Sequence, residues 1–320
     1  MKRTLVTGAS GFVGANLARR LLRDGQQVHL FLRADYQPWR LEEISGDCDV
    51  SLGDIRDRES VRRAINAAKP EWVFHLSAYG AYSNQAGFEQ MLATNVIGCA
   101  NLLDSCIEAG VEAFVQTGSS SEYGYQAHAS REDGRIDPNS HYAITKAAAT
   151  HYCQFTARKL GFQAVTARLY SIYGPYEDPA RLIPTLLVYG LRGELPPLVS
   201  PDTARDFVYV DDAVEALIRL ACGKHISPGA VYNVASGSQT TLGDVVQEAR
   251  KLLGIAAEPV WGGMPARAWD TGVWVGDATA ICRDAGWVAE TTLEEGLKRT
   301  IYWLKDNPPW LSFYQQRMLV

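Results

Sequence analysis

Along the first 170 positions, short runs rich in valine, leucine and phenylalanine alternate with longer stretches whose apolar residues recur at helical spacing. The runs Leu5-Val6, Val28 to Leu32, Val50 to Leu52, Trp72 to Leu76, Ala113 to Gln116 and Ala164 to Leu169 predict strands. Val13 to Arg23, Arg58 to Ala68, Phe88 to Ala109 and Tyr142 to Leu160 predict the helices between them. Strand followed each time by helix implies right-handed crossovers, hence an α/β fold with a doubly wound parallel sheet covered on both faces.

After Leu169 the pattern changes. Tyr173-Gly174-Pro175, Asp178-Pro179, Pro184, Pro196-Pro197 and Pro201 interrupt it, so an irregular region is expected there. From Asp244 onward helical spacing returns in places, most clearly from Leu293 to Trp303. No internal repeat or low-complexity segment is present.

With 320 residues, 47% hydrophobic and 21% charged, the chain can build one large domain or two lobes around a substantial core. A formal net charge of -5 with acids and bases interleaved argues against nucleic acid or an anionic membrane as partner. No apolar stretch reaches membrane-spanning length, and with the first strand starting at once no signal peptide is expected. Six scattered cysteines (Cys48, Cys99, Cys106, Cys153, Cys222, Cys282) form no C-x-x-C pair. They are expected to be reduced thiols of a cytoplasmic protein, neither a disulfide frame nor a metal site.

Candidate chemistry starts at Thr7-Gly8-Ala9-Ser10-Gly11-Phe12-Val13-Gly14, immediately after Leu5-Val6. Gly8 supplies the tight turn from strand to helix, Gly11 lets the main chain approach a pyrophosphate, and Gly14 lets the helix pack on the strand. Arg19, Arg20 and Arg23 gather toward the end of the following helix, leaving its amino terminus to face phosphate. The spacing is G-x-x-G-x-x-G rather than the commoner G-x-G-x-x-G. We therefore expect a dinucleotide-binding lobe over residues 1–170 and a smaller substrate lobe over 171–320. Part of 205–235 is expected to return to the sheet, with the site between the lobes.

The cofactor type is read at the end of the second strand, Val28-His29-Leu30-Phe31-Leu32-Arg33. An acid usually bonds the adenosine ribose here, yet the position holds Leu32 and an arginine follows. Arg33 suits the extra phosphate of NADP(H), which a carboxylate would repel. The alternative is that Arg33 is a solvated loop residue and Asp35 takes the ribose of NAD. Downstream, Asp54 in Gly53-Asp54-Ile55-Arg56-Asp57 either reaches the adenine amino group or caps the next helix.

Tyr142-Ala-Ile-Thr-Lys146 places a phenol and an ammonium on one helix face. A free phenol, with a pKa of about 10, is a poor base at neutral pH. An ammonium about 4 Å away, at an effective dielectric near 20, favours the phenolate by about 4 kcal/mol and is expected to bring it toward 7. Such a tyrosine exchanges a proton with a carbinol while hydride moves to or from a nicotinamide. Thr117-Gly118-Ser119-Ser120-Ser121, at the end of the fifth strand, supplies a hydroxyl to hold the substrate oxygen.

These residues resemble the extended short-chain dehydrogenase/reductase family, in its branch acting on nucleotide sugars, over nearly the whole chain. Also similar are His75-Leu76-Ser77-Ala78, Thr94-Asn95-Val96, Asn101-Leu102-Leu103, Arg168-Leu169-Tyr170 with Tyr173-Gly174-Pro175, Arg205 to Asp212, Gly286-Trp287 and Leu293 to Leu297. The resemblance implies a Rossmann sheet with a smaller carboxyl-terminal α/β substrate lobe. It places the catalytic hydroxyl on Ser119, beside Tyr142 and Lys146, which also touch the cofactor. It implies cofactor contacts at Gly8, Ser10, Gly11, Phe12, Val13, Gly14, Arg33, Asp54, Ile55, Leu76, Ser77, Ala78 and Asn95. Ser120, Ser171, Arg181, Arg205, Arg267 and Asp270 are implied on the substrate side, with Arg205 and Arg267 holding the nucleotide diphosphate. Two departures stand out: Ser171 and Arg181 occupy positions where epimerases of the family carry asparagine.

The same site runs three related reactions in this family. A 4,6-dehydratase needs an acid and a base one and two residues after the catalytic hydroxyl, where this chain has Ser120 and Ser121, with Glu122 one residue late. A 4-epimerase normally holds NAD tightly. A 4-keto reductase needs Ser119, Tyr142, Lys146 and exchangeable NADPH, which agrees with Arg33. We therefore expect an NADP(H)-dependent reductase of a 4-keto nucleotide-activated deoxyhexose, with the NAD-dependent 4-epimerase as alternative. A non-catalytic NADP(H) sensor is a third reading. The resemblance further implies a homodimer through the two long helices after the fourth and fifth strands, with apolar residues Met91, Leu92, Val96, Ile97, Leu102 and Leu103.

Overall fold

The computed structural model describes residues 1–82, 85–263 and 272–318. The apolar runs of the first half form β1 (Arg3–Thr7), β2 (Gln27–Leu32), β3 (Asp49–Leu52), β4 (Trp72–His75), β5 (Ala113–Ser119) and β6 (Ala164–Leu169). Between them lie α1 (Phe12–Arg23), α2 (Arg58–Ala68), α3 (Phe88–Met91), a π-helical turn (Leu92–Ile97), α4 (Gly98–Glu108) and α5 (His141–Leu160). The second half adds β7 (Ser171–Tyr173), α6 (Leu182–Gly190), β8 (Ala204–Arg205), β9 (Phe207–Tyr209), α7 (Val210–Cys222), β10 (Val231–Val234) and β11 (Thr240–Thr241). It ends with α8 (Leu242–Leu253), α9 (Thr279–Ala285), α10 (Leu293–Asp306) and α11 (Pro308–Arg317).

Seven strands pair in parallel in the order β10-β6-β5-β4-β1-β2-β3. Helices α1 and α7 bury apolar faces on one side of the sheet, and α2, α4 and α5 on the other. Burial on both faces explains why the strands are apolar runs rather than alternating ones; all seven residues of β5 are buried. The strand order reverses between β1 and β4, which opens a crevice at their carboxyl ends. Gly8, at φ 71°, makes the crossing there: a Cβ would stand 2.6 Å from Leu76 C and Ser77 N. A Cβ at Gly14 would collide with the Gly8 carbonyl, so the third glycine is needed for helix-on-loop packing.

Three elements differ from the sequence expectation. β5 continues to Ser119 because residues Gly118 and Ser119 still pair with β6. The helix expected over Phe88 to Ala109 contains a π-helical turn, which re-aims Asn95. Where only irregular chain was expected, α6 forms despite Pro184; the proline lies in the first turn, whose N–H groups have no intrahelical partner to lose. The second lobe is held by Tyr173, Leu186, Leu187, Val245, Val246 and Leu297 and by two short strand pairs, β7 with β9 and β8 with β11. Residues of β10 rejoin the main sheet beside β6. Among the described residues no helix is long and apolar enough to cross a membrane.

Candidate active site

β5 ends on Ser119 and the chain turns at once into a short 3-10 helix, Ser120–Tyr123. Ser119 caps that turn: its Oγ accepts the Ser121 N–H at 3.2 Å and lies 2.9 Å from the Ser121 hydroxyl. Glu122 completes the cap by accepting the Ser119 N–H at 2.8 Å. The same carboxylate accepts Thr150 Oγ1 at 3.1 Å and Arg168 Nε at 2.8 Å. Glu122 is 0% exposed, so it faces the core and holds the serine turn rather than entering the cleft.

Ser140 caps α5, its Oγ accepting the Ala143 N–H at 3.2 Å. This sets Tyr142 in the first turn and Lys146 one turn later on the same face. The Ser119 side chain acts on the Tyr142 phenol, lowering its pKa. Lys146, 4% exposed, donates from Nζ to the Thr117 carbonyl at 2.6 Å. Ser119, Tyr142 and Lys146 are thus brought together at the carboxyl end of β5.

The expected acid phenol is a correction. Burial pushes Tyr142 up to about 12, against a lowering hydrogen bond from Ser119; Glu122 and Tyr82 raise it further and Arg181 lowers it. Lys146 is itself lowered by burial, opposed by the Glu122 and Cys99 charges, and its ammonium is committed to a carbonyl rather than to the phenol. In this state the tyrosine is a proton donor.

The π-helical turn aims the Asn95 carboxamide at protein partners: its Oδ1 accepts the Tyr79 N–H at 2.8 Å, and its Nδ2 donates to the Tyr79 carbonyl and Thr145 Oγ1 at 2.8 and 2.9 Å. Asn95 therefore ties α5 to the loop after β4, where a direct cofactor contact had been expected. In the glycine turn, Gly11 N–H donates to the Gly8 carbonyl at 3.0 Å. A Cβ on Gly11 would meet only Gly8 O, at 3.1 Å, so its other side is open. α1 begins directly after it with Phe12 and Val13, with no side-chain cap and no acid in its first turn. Open backbone and free first-turn N–H groups fit a dinucleotide pyrophosphate. Leu76, Ser77 and Ala78 are half-buried at the switch point, with the Leu76 and Ser77 N–H groups donating to the Thr7 carbonyl and Oγ1.

The adenosine end is more occupied than expected. Arg33 forms an ion pair with Asp35, Nε donating to Oδ1 at 2.8 Å. Asp54 is taken by Arg56, whose N–H and Nε both donate at 2.9 Å. The cap of α2 is Asp57, not Asp54. Ile55 is 7% exposed, and its side chain packs in the core against Gly98.

On the substrate side, Ser120 is buried, and Ser171 in β7 donates its N–H to the Asp206 carbonyl at 2.9 Å. Arg181 donates to the Ala81 carbonyl at 2.9 Å, lies over the Tyr82 ring, and contributes to the field at Tyr142. Arg205 lies over the Trp274 ring at 5.2 Å. Arg267 and Asp270 fall outside the described residues.

Sequence reasoning missed two buried ionisable groups. Arg40, 6% exposed, donates from Nε to the Tyr176 carbonyl at 2.8 Å and from Nη1 to the Ser10 carbonyl at 3.2 Å. It clasps the glycine turn to the loop after β7, where Tyr176 sits at φ 68°. Glu177, 7% exposed, is pushed up to about 8 chiefly by burial, with Arg181, the Gly174 N–H and Arg40 opposing and Asp178 adding. Neither group belongs to a periodic pattern, so no sequence signal marked it.

Glu177 yields a pH prediction. Its folded pKa lies above the unfolded value of 4.5, so the folded protein keeps a proton that the unfolded chain releases. That stabilisation is full below the unfolded pKa and is lost as pH rises through about 8. Glu177→Gln should therefore be increasingly more stable than wild type from about pH 5 to pH 9, by a few kcal/mol at the upper end. Urea melts across this range check it; a pH-independent difference would refute the assignment.

Residues 4–235 match the model of the NAD dependent epimerase/dehydratase family. The trifunctional UDP-glucose 4,6-dehydratase/UDP-4-keto-6-deoxy-D-glucose 3,5-epimerase/UDP-4-keto-L-rhamnose-reductase of Arabidopsis thaliana is 26% identical over 97% of this chain; the match spans 48% of that relative. The UDP-glucose 4-epimerase of Thermotoga maritima, solved with UDP-glucose, superposes with a TM-score of 0.85 at 27% identity, covering 95% of this chain and 98% of that one. MoeE5, solved with UDP-glucuronic acid and NAD, is 30% identical with a TM-score of 0.83, covering 95% and 99%. A glycine turn at the sheet's switch point, a serine–tyrosine–lysine group at the end of β5 and a matched span of more than half the chain agree: the protein belongs to the NAD dependent epimerase/dehydratase family.

Proposed function

We propose that this protein is an NADP(H)-dependent oxidoreductase that reduces the 4-keto group of a nucleotide-activated deoxyhexose. The observation that carries this reading is the convergence of Ser119, Tyr142 and Lys146 at the carboxyl end of β5, with Lys146 Nζ bonded to the Thr117 carbonyl, together with the burial that raises the phenol and so keeps its proton. Carbonyl reduction needs a proton donor at that oxygen, whereas the first step of epimerisation needs a base. The nicotinamide cofactor, when bound, supplies the hydride. Gly8, Gly11 and Gly14 with the amino terminus of α1 hold its pyrophosphate, and Arg33 is the residue for a 2′-phosphate. Ser119 Oγ donates to the sugar oxygen and polarises it, Tyr142 Oη delivers the proton, and Lys146 holds the nicotinamide ribose and offsets negative charge left on the phenol. Arg205 pairs with the substrate diphosphate.

The division into a cofactor lobe (1–170) and a substrate lobe (171–320) belongs to this reading. So does a homodimer, although Met91, Leu102 and Leu103 are core residues; Ile97, Ile144 and Phe155 are the exposed apolar groups on these helices. Sedimentation giving a single 35.2 kDa species would refute the dimer.

A second reading, the NAD-dependent 4-epimerase, is favoured by the Arg33–Asp35 ion pair, which leaves that guanidinium already neutralised. Denaturing the purified protein and identifying released dinucleotide separates the two. Empty protein that takes up NADPH, with Arg33→Ala weakening NADPH well beyond NADH, supports the reductase; tightly retained NAD supports the epimerase.

A further inference from the structure

Helix α11 (Pro308–Arg317) lies outside the span matched by the family model, yet it packs on chain that borders the glycine turn. Its contact is with Pro38–Arg40, a single 3-10 turn in the loop after β2. Trp39, buried there, meets Trp310 and Phe313 of α11 at ring-centroid separations of 5.7 and 4.8 Å. The next side chain, Arg40, lays its guanidinium over the Trp39 ring at 3.9 Å. Two bonds from α11 brace the same region. Trp310 Nε1 donates to Glu43 Oε1 at 2.8 Å, and the Tyr314 hydroxyl donates to the Glu177 carbonyl at 2.5 Å.

From this stack Arg40 reaches the glycine turn. The Ser10 carbonyl and the Gly11 N–H belong to one planar peptide unit. Arg40 Nη1 donates to its oxygen at 3.2 Å, and the Gly8 carbonyl accepts its N–H at 3.0 Å. Held at both ends, the plane cannot rotate, and α1 starts from it. The direction of the free first-turn N–H groups of Phe12 and Val13 follows from that plane. On its other side Arg40 Nε donates to the Tyr176 carbonyl, and Tyr314 takes the next carbonyl, that of Glu177. Between them Tyr176 is kept at φ 68°, a conformation that a bulky residue holds only where its surroundings impose it. An ion pair does not account for the burial of Arg40: Asp178 Oδ2 is 4.0 Å from Nη2, which has no hydrogen-bond partner. The two backbone carbonyls do.

We propose that Arg40 is a positioning residue for the dinucleotide: braced by Trp39 and α11, it sets the peptide plane from which the diphosphate-binding N–H groups of α1 are aimed. The inference rests on the reading in which the glycine turn holds a dinucleotide diphosphate, and it makes α11 part of the cofactor grip. Lysine at this position keeps the charge but lacks the planar fork that spans two carbonyls.

Titrations of NADH, NADPH and adenosine against wild type, Arg40→Met, Arg40→Lys and Trp310→Leu test this. Each Arg40 variant should weaken both dinucleotides by about tenfold and leave adenosine, which carries no diphosphate, unchanged. Trp310→Leu, a change in α11 alone, should weaken them by about threefold and speed amide hydrogen exchange at Phe12 and Val13. That variant decides the matter if a change at buried Arg40 prevents folding. Unchanged dinucleotide affinity in either Arg40→Met or Trp310→Leu would overturn the inference. Full affinity in Arg40→Lys would overturn it too, leaving a plain effect of charge, and so would equal weakening of adenosine, as general damage to the fold. Wild type that binds neither dinucleotide would overturn the reading of the glycine turn and this inference with it.

Discussion

Tyr142→Phe is expected to lower kcat by about a hundredfold or more while leaving dinucleotide affinity nearly intact. Phenylalanine keeps the ring and its packing at the start of α5 but removes the hydroxyl that gives its proton to the substrate oxygen. Lys146 retains its bond to the Thr117 carbonyl, and the glycine turn lies on a different element, so cofactor binding has no reason to change. The loss should appear in kcat and kcat/KM together, because the missing bond matters in the transition state. Steady-state kinetics beside a dinucleotide titration check this; retained turnover would remove the tyrosine from the mechanism.

Glu122→Gln should be the most damaging change to stability among the residues around the site. The Glu122–Arg168 pair is almost wholly buried, at 0% side-chain exposure for Glu122 and 3% for Arg168. Neutralising one partner strands the other charge in the core, at a cost of about 3–5 kcal/mol. The carboxylate also accepts the Ser119 N–H and Thr150 Oγ1, so the serine turn should loosen and kcat should fall as well. Replacing both partners, as Glu122→Gln with Arg168→Met, should recover part of the stability, because no uncompensated charge remains. Denaturant melts measure each term; a single-variant loss below about 1 kcal/mol would contradict this role.

The sheet was legible because its strands are buried on both faces, and that demand writes itself as apolar runs at regular intervals. The glycine turn was legible for a related reason: Gly8 and Gly14 have backbone where a Cβ would go. The Tyr142/Lys146 spacing fixed their common face but not their electrostatics. Burial and the pull of the Thr117 carbonyl outweighed the helical proximity, and only the fold shows which effect wins. Arg33 and Asp54 lie in exposed loops where a short ion pair with Asp35 or Arg56 is as available as a ligand. Glu122 looked like a displaced acid until the pairing with Arg168 on the neighbouring strand was known. Arg40 bonds to Ser10 and to Tyr176, which lie 30 and 136 residues from it in sequence, contacts no local pattern encodes.

The account turns on direct hydride exchange at a sugar carbon beside Ser119 and Tyr142. Supplying dinucleotide deuterated at the reactive nicotinamide carbon together with a 4-keto nucleotide sugar, and locating the label in the product, tests it most directly. Deuterium on carbon four of the sugar, lost in Tyr142→Phe, is the predicted result. Dinucleotide that binds but never passes its label to any such sugar would contradict it.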